Sequence, residues 1–178
     1  MAPRISKTGF GFLLTTSAIP LVAYSQVYLT EDQALQAIFP GEKFVRKILE
    51  LSKNDIQTIE EKSNERVRNT SVVAWVNAIG NVILVDQALG KHEFITYAVG
   101  ITSKKQVKNI EILEYRETYG YQVRQEDWRK QFIGKDATAT LKLNKDIVNI
   151  SGATLSSSHI TGGVRRLLQT YETIKERL

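Results

Sequence analysis

Four apolar, strand-like segments follow one another at residues 72–78, 81–88, 93–102 and 107–115, joined by connections of two to four residues. Consecutive strands with short polar connections favour an antiparallel sheet. In the last segment Val107, Ile110, Ile112 and Leu113 fall among Lys108, Asn109, Glu111 and Glu114, close to the alternation of a half-buried strand. Helical patterns flank this block. Thr30-Glu31-Asp32 ahead of Ala34, Leu35, Ala37 and Ile38 reads as an N-capped helix with acids in its first turn, ended by Pro40-Gly41. Residues 44–51 are a further strand candidate, and Ser52 can cap a helix over 53–65. Residues 126–132 suggest a short helix. Residues 155–178 suggest a closing one, with Ile160, Val164, Leu167, Leu168 and Tyr171 on one face. The expected class is α+β, with an antiparallel sheet packed against helices.

The 178 residues suffice for one domain with a real core. A net charge of +5 raises the question of nucleic acid, but the 24 basic residues are scattered among 19 acids with no run of five or more like charges, so no nucleic-acid partner is expected. There is no cysteine, which removes disulfides, thiolate metal sites, cysteine nucleophiles and a lipid anchor on an N-terminal cysteine. Two histidines, His92 and His159, carry no metal-ligand spacing, and no metal is expected.

The N-terminus has the pattern of an export signal. Arg4 and Lys7 precede an uncharged stretch, residues 8–30, with an apolar part at 9–24 and the small-x-small triplet Ala23-Tyr24-Ser25. This assigns residues 1–25 to a secretory signal and 26–178 to the mature domain, hence a periplasmic location. The alternative is an uncleaved membrane anchor. Cleavage after Ser25 removes Arg4 and Lys7 and no acid, so the charge goes from +5 to +3.

Just before the closing helix stands Ser151-Gly152-Ala153-Thr154-Leu155-Ser156. Small residues followed by hydroxyls at a helix start let a backbone come close to a phosphate, with free N–H groups and the positive end of the helix dipole behind it. Read alone, the segment is also an ordinary helix cap. It resembles the flavin-attachment motif of the FMN-binding domain family, which includes the small periplasmic subunits of the Rnf and Na-translocating NADH:quinone reductase complexes. Three further blocks look like that family in the same order. They are residues 97–101, then Glu114-Tyr115-Arg116-Glu117-Thr118-Tyr119-Gly120-Tyr121, then Trp128 with residues 131–135.

The resemblance implies FMN joined to Thr154 by a phosphoester, at the start of the C-terminal helix. It also implies attachment by a flavin transferase that uses FAD, and an electron-carrying role beside a membrane or haem redox partner, without catalytic residues of the chain's own. Ser151, Gly152, Ala153, Leu155 and Ser156 would surround the phosphate, with Ser157 and Ser158 as further donors. Arg116 and Glu117 read either as a salt-bridged strand end or with Arg116 near the polar edge of the flavin, Trp128 would pack on its ring or fill the core, and Lys135 would steer the phosphate or pyrimidine edge or stand as an exposed lysine. His159 reads as a surface histidine or as one whose ring edge approaches the flavin. Arg165 and Arg166 lie roughly 16–18 Å along the helix from Thr154 at 1.5 Å per residue, too far for the phosphate. They are expected to face solvent, a partner or an acid elsewhere. In one respect the chain departs from the family. An aspartate usually stands three positions before the serine of the motif; here that position is Val148, and the nearest acid is Asp146. A flavin-free or non-covalently FMN-binding partner module is the other reading. A hydrolase built on the serines and His159 lacks an acid to orient the histidine.

Overall fold

The computed structural model describes residues 26–117 and 119–178; the export segment expected at residues 1–25 lies outside them. Six strands form one sheet: β1 (Gln26–Val27), β2 (Val45–Glu50), β3 (Ser71–Val76), β4 (Val82–Leu89), β5 (Phe94–Ile101) and β6 (Val107–Tyr115). Their order is β1-β6-β5-β4-β3-β2, and every neighbouring pair is antiparallel. The four central segments are therefore a meander, extended at one edge by β2. At the other edge β1 pairs Gln26 with Tyr115, a contact two residues long that no alternation announces. The β3–β4 turn closes through Asn77, whose N–H donates to Asn81 O at 3.1 Å.

Among the described residues four helices cover the sheet: α1 (Glu31–Ile38), α2 (Lys53–Ser63), α3 (Glu126–Arg129) and α4 (Thr154–Ile174). Thr30 and Ser52 each cap the following helix through a reciprocal capping box, with Gln33 and Asp55 respectively. Such a cap contributes about 1 kcal/mol. The second helix stops at Ser63 because Asn64 turns left-handed at φ +53°. Both α3 and α4 end in tighter 3-10 turns, at Lys130–Phe132 and Lys175–Arg177.

On one face α1 lays Ala34, Leu35, Ile38 and Phe39 against Ile83, Ala98 and Leu113. On the other, the apolar stripe of α4 packs with Ile59 of α2 on Leu84, Tyr97, Val99, Ile110 and Ile112. Ile160, Val164 and Leu168 are almost completely buried, and each contributes roughly 1.5–3 kcal/mol.

Two arginines fix the azimuth of α4. Arg165 binds Glu65 at 2.7 Å and the carbonyls of Ser63 and Leu141. Arg166 is buried and meets Asp86 of β4 at 2.5 Å. Both therefore serve acids and carbonyls in the body of the domain. The start of α4 is left at the sheet's β6 end, where the candidate site lies.

Candidate functional site

The motif is a tight turn running into a helix. Ala153 N–H donates to Ile150 O at 3.0 Å, which closes the turn 150–153, and Gly152 inside it has φ +80°. A side chain at 152 would meet nothing within 4 Å, so the backbone conformation rather than space requires glycine there. Ala153 then takes the N-cap position, with no side-chain cap bond. The N–H groups of Thr154, Leu155 and Ser156 have no helical partner by construction, and no cap shields them. Thr154 is the first residue of α4 and is exposed, and its Oγ1 accepts from Asn149 Nδ2 at 3.1 Å.

A cavity of about 380 Å³ opens on this helix start. Its walls are Gly152 to Ser156, then Glu117, Tyr119 and Gly120 beyond β6, and Lys91 and His92 in the β4–β5 turn. Tyr119 is 79% exposed and Leu155 49%, so two large apolar side chains stand open at the mouth.

Glu117 ties two walls together. Its Oε1 accepts from His92 N at 2.5 Å and Glu93 N at 3.0 Å. Burial pushes its carboxyl up, but these N–H groups, that of Lys91 and the adjacent His92 more than offset this, and it sits below the ordinary glutamate value. On the inner side, Tyr115 OH donates to Tyr119 O at 2.5 Å and lies 2.9 Å from Ser156 Oγ.

Thus Gly152, Ala153, Thr154, Leu155, Ser156 and Glu117 meet around one cavity, and Ser151 sits exposed in the adjoining turn. Three other expected residues are not brought to its walls. Arg116 pairs with Glu114 at 2.9 Å beside the site. Trp128 is buried edge-on against Phe132, and its indole N–H donates to Val148 O at 2.8 Å. Lys135 binds Asp146 at 3.3 Å. Ser157 is turned away as well, its hydroxyl donating back to Ala153 O at 2.9 Å. His159 is half-buried, and its Nδ1 finds no partner among the described residues.

Sequence reasoning assigned no role to Lys91, His92, Tyr119, Gly120 or Asn149. Tyr119 and Gly120 stand in a block that already resembled the family, which was the available signal. Lys91 and His92 arrive only because β4 and β5 pair in register, with Leu89 opposite Phe94. No local pattern reveals that.

The arrangement suits a molecule with one anionic end and one flat apolar body. Uncapped N–H groups and the helix dipole face the anion, with Lys91 and His92 across the cavity. Gly120 is a cradle. A Cβ there would stand 2.5 Å from both Ser156 Oγ and Tyr115 OH. Asn149 Oδ1 is buried without a partner among the described residues. A volume of about 380 Å³ lies within the range of small-molecule sites. These features fit FMN, with its phosphate, hydroxylated chain and ring.

Comparison with known proteins agrees. No curated protein matches the chain. Residues 90–169, from the β4–β5 turn through most of α4, match the model of the FMN-binding domain. The matched stretch contains every wall of the cavity, while α1, α2 and β1–β4 lie outside it. Residues 90–169 therefore carry the match to the FMN-binding domain, which supports FMN as the cofactor.

Proposed function

We propose that this protein is an exported electron carrier that holds FMN covalently, through a phosphoester on Thr154. One observation carries the reading. The Thr154 hydroxyl is the first side chain of α4, exposed on the cavity wall, and held by Asn149. The N–H groups of the first turn of α4 hold the phosphodiester charge, to which the helix dipole adds roughly 0.3–1 kcal/mol. Lys91 places positive charge across the cavity beside the His92 ring, Tyr119 and Leu155 flank the apolar body, and Glu117 fixes the turn that carries Lys91 and His92. When bound, the isoalloxazine supplies the redox chemistry, and the chain sets its position and exposure.

Outside the cytoplasm a diffusible cofactor would be lost, and a covalent bond retains it. The attaching partner is a flavin transferase using FAD, and electrons pass between a membrane or haem donor and another carrier. Arg4, Lys7 and the apolar stretch after them support export.

The test is the intact mass of the exported chain produced with a flavin transferase, beside Thr154→Ala. A gain of one FMN less water in the parent alone is expected. An unmodified parent overturns the covalent carrier and leaves non-covalent FMN binding as the reading.

A further inference from the structure

We infer that Asn149 is the positioning residue for Thr154, its side-chain amide orienting the hydroxyl that accepts the flavin phosphate; the inference rests on the phosphoester reading above. Asn149 Nδ2 donates to Thr154 Oγ1 at 3.1 Å, and Asn149 Oδ1 is buried with no partner among the described residues. One end of the amide thus holds the acceptor hydroxyl.

The neighbouring peptide is clamped from both sides, which makes this orientation specific. Val148 N–H donates to Gln131 Oε1 at 2.7 Å, and Val148 O accepts from Trp128 Nε1 at 2.8 Å. Trp128 and Gln131 therefore act at a distance from the cavity, by fixing the segment that aims Asn149. The acid nearest the motif, Asp146, is committed elsewhere. Asp146 accepts from Leu141 N at 2.9 Å, Lys142 N at 2.8 Å and Lys135 Nζ at 3.3 Å.

The chemistry asks for an amide here. In the transfer, Oγ1 bonds to the flavin-side phosphorus of FAD and the P–O bond to the bridging oxygen breaks. AMP leaves with that electron pair, and the hydroxyl proton passes to a base of the transferase. Donation from Asn149 occupies one lone pair of Oγ1 and leaves the other, with the O–H, free for this step. It also places a donor beside a phosphodiester that stays anionic, where a carboxylate would repel it.

The test measures initial rates of mass gain with a flavin transferase and FAD across concentrations of the full chain. Parent, Asn149→Ala, Asn149→Asp and Thr154→Ala are compared, each after a thermal melt. The expected result is a fall in kcat of about tenfold to hundredfold in both Asn149 variants, with KM for the chain and the melting temperature unchanged. Thr154→Ala gains nothing. A rate equal to the parent's in Asn149→Asp overturns the donor role, and a loss confined to KM overturns positioning in favour of docking. If Asn149→Ala melts early, the isosteric Asp variant decides. A parent that gains no mass overturns the attachment and this role together; a modified parent with unaffected variants overturns this role alone.

Discussion

Tyr115 OH and Ser156 Oγ lie 2.9 Å apart, buried where the last residue of β6 meets the first turn of α4. Tyr115 has one proton, and it is directed at Tyr119 O at 2.5 Å. Ser156 must therefore be the donor of the shared bond. Its hydroxyl is thus turned inward to the phenol, and only its backbone N–H faces a phosphate. The same bond sets the distance between the two walls of the cavity, since Tyr119 and Gly120 hang on one side and Thr154 and Leu155 on the other.

This junction yields a graded prediction. Tyr115→Phe leaves Ser156 and Tyr119 O short of a partner and should cost about 1–2 kcal/mol in urea unfolding. Gly120→Ala should cost more, about 3 kcal/mol. Residue 120 has φ +95°, and the added methyl would stand 2.5 Å from both oxygens. Equal stabilities for parent and Gly120→Ala would mean that the two walls are not locked together.

The frame of the fold was legible because its signals are local. Thr30 and Ser52 cap the helices their positions announce, and Val107 to Tyr115 form the strand their alternation announces. The Arg165 and Arg166 contacts agree with the axial distance that separates both from Thr154. The site was legible only along one stretch of chain. Gly152 to Ser156 are contiguous and carry their own motif, whereas Lys91 and His92 reach them across the sheet, where no spacing rule operates. Trp128 was readable as an apolar residue in a family block, yet its effect on the site passes through the Val148 carbonyl, a backbone atom invisible to composition. Two-residue β1 exists through pairing alone.

Glu117 gives the protein an acid limb. Its carboxyl sits below the ordinary glutamate value of 4.5, although burial alone would raise it, because the N–H groups of the β4–β5 turn stabilise the anion. A carboxyl lowered in the folded state contributes stability that is present above pH 4.5 and lost as pH falls through the folded value. Below pH 4.5 the turn carrying Lys91 and His92 should therefore loosen. Stability measured against pH in parent and Glu117→Gln should differ most above 4.5 and converge in acid. A constant difference would place the glutamate's effect in packing rather than charge.

The last prediction separates the domain's integrity from its site. Arg166 meets Asp86 at 2.5 Å with 8% of its side chain exposed, and also donates to the carbonyls of Arg66 and Gln87. The Asp86 carboxylate accepts Tyr97 OH at 3.2 Å, and burial together with that carboxylate pushes the phenol well above its usual range. Removing one partner strands a charge in the core, so Arg166→Ala should lose about 3–5 kcal/mol in denaturant unfolding. Replacing both, in Arg166→Met with Asp86→Asn, should recover much of that loss, because no unpaired charge remains. A double-mutant cycle measures the coupling directly. Arg166 is not among the residues around the cavity, so the folded fraction of the double variant should gain FMN mass at the parent's rate. A double variant as unstable as Arg166→Ala would show that the guanidinium's bonds to the carbonyls, rather than its charge pairing, hold α4 on the sheet.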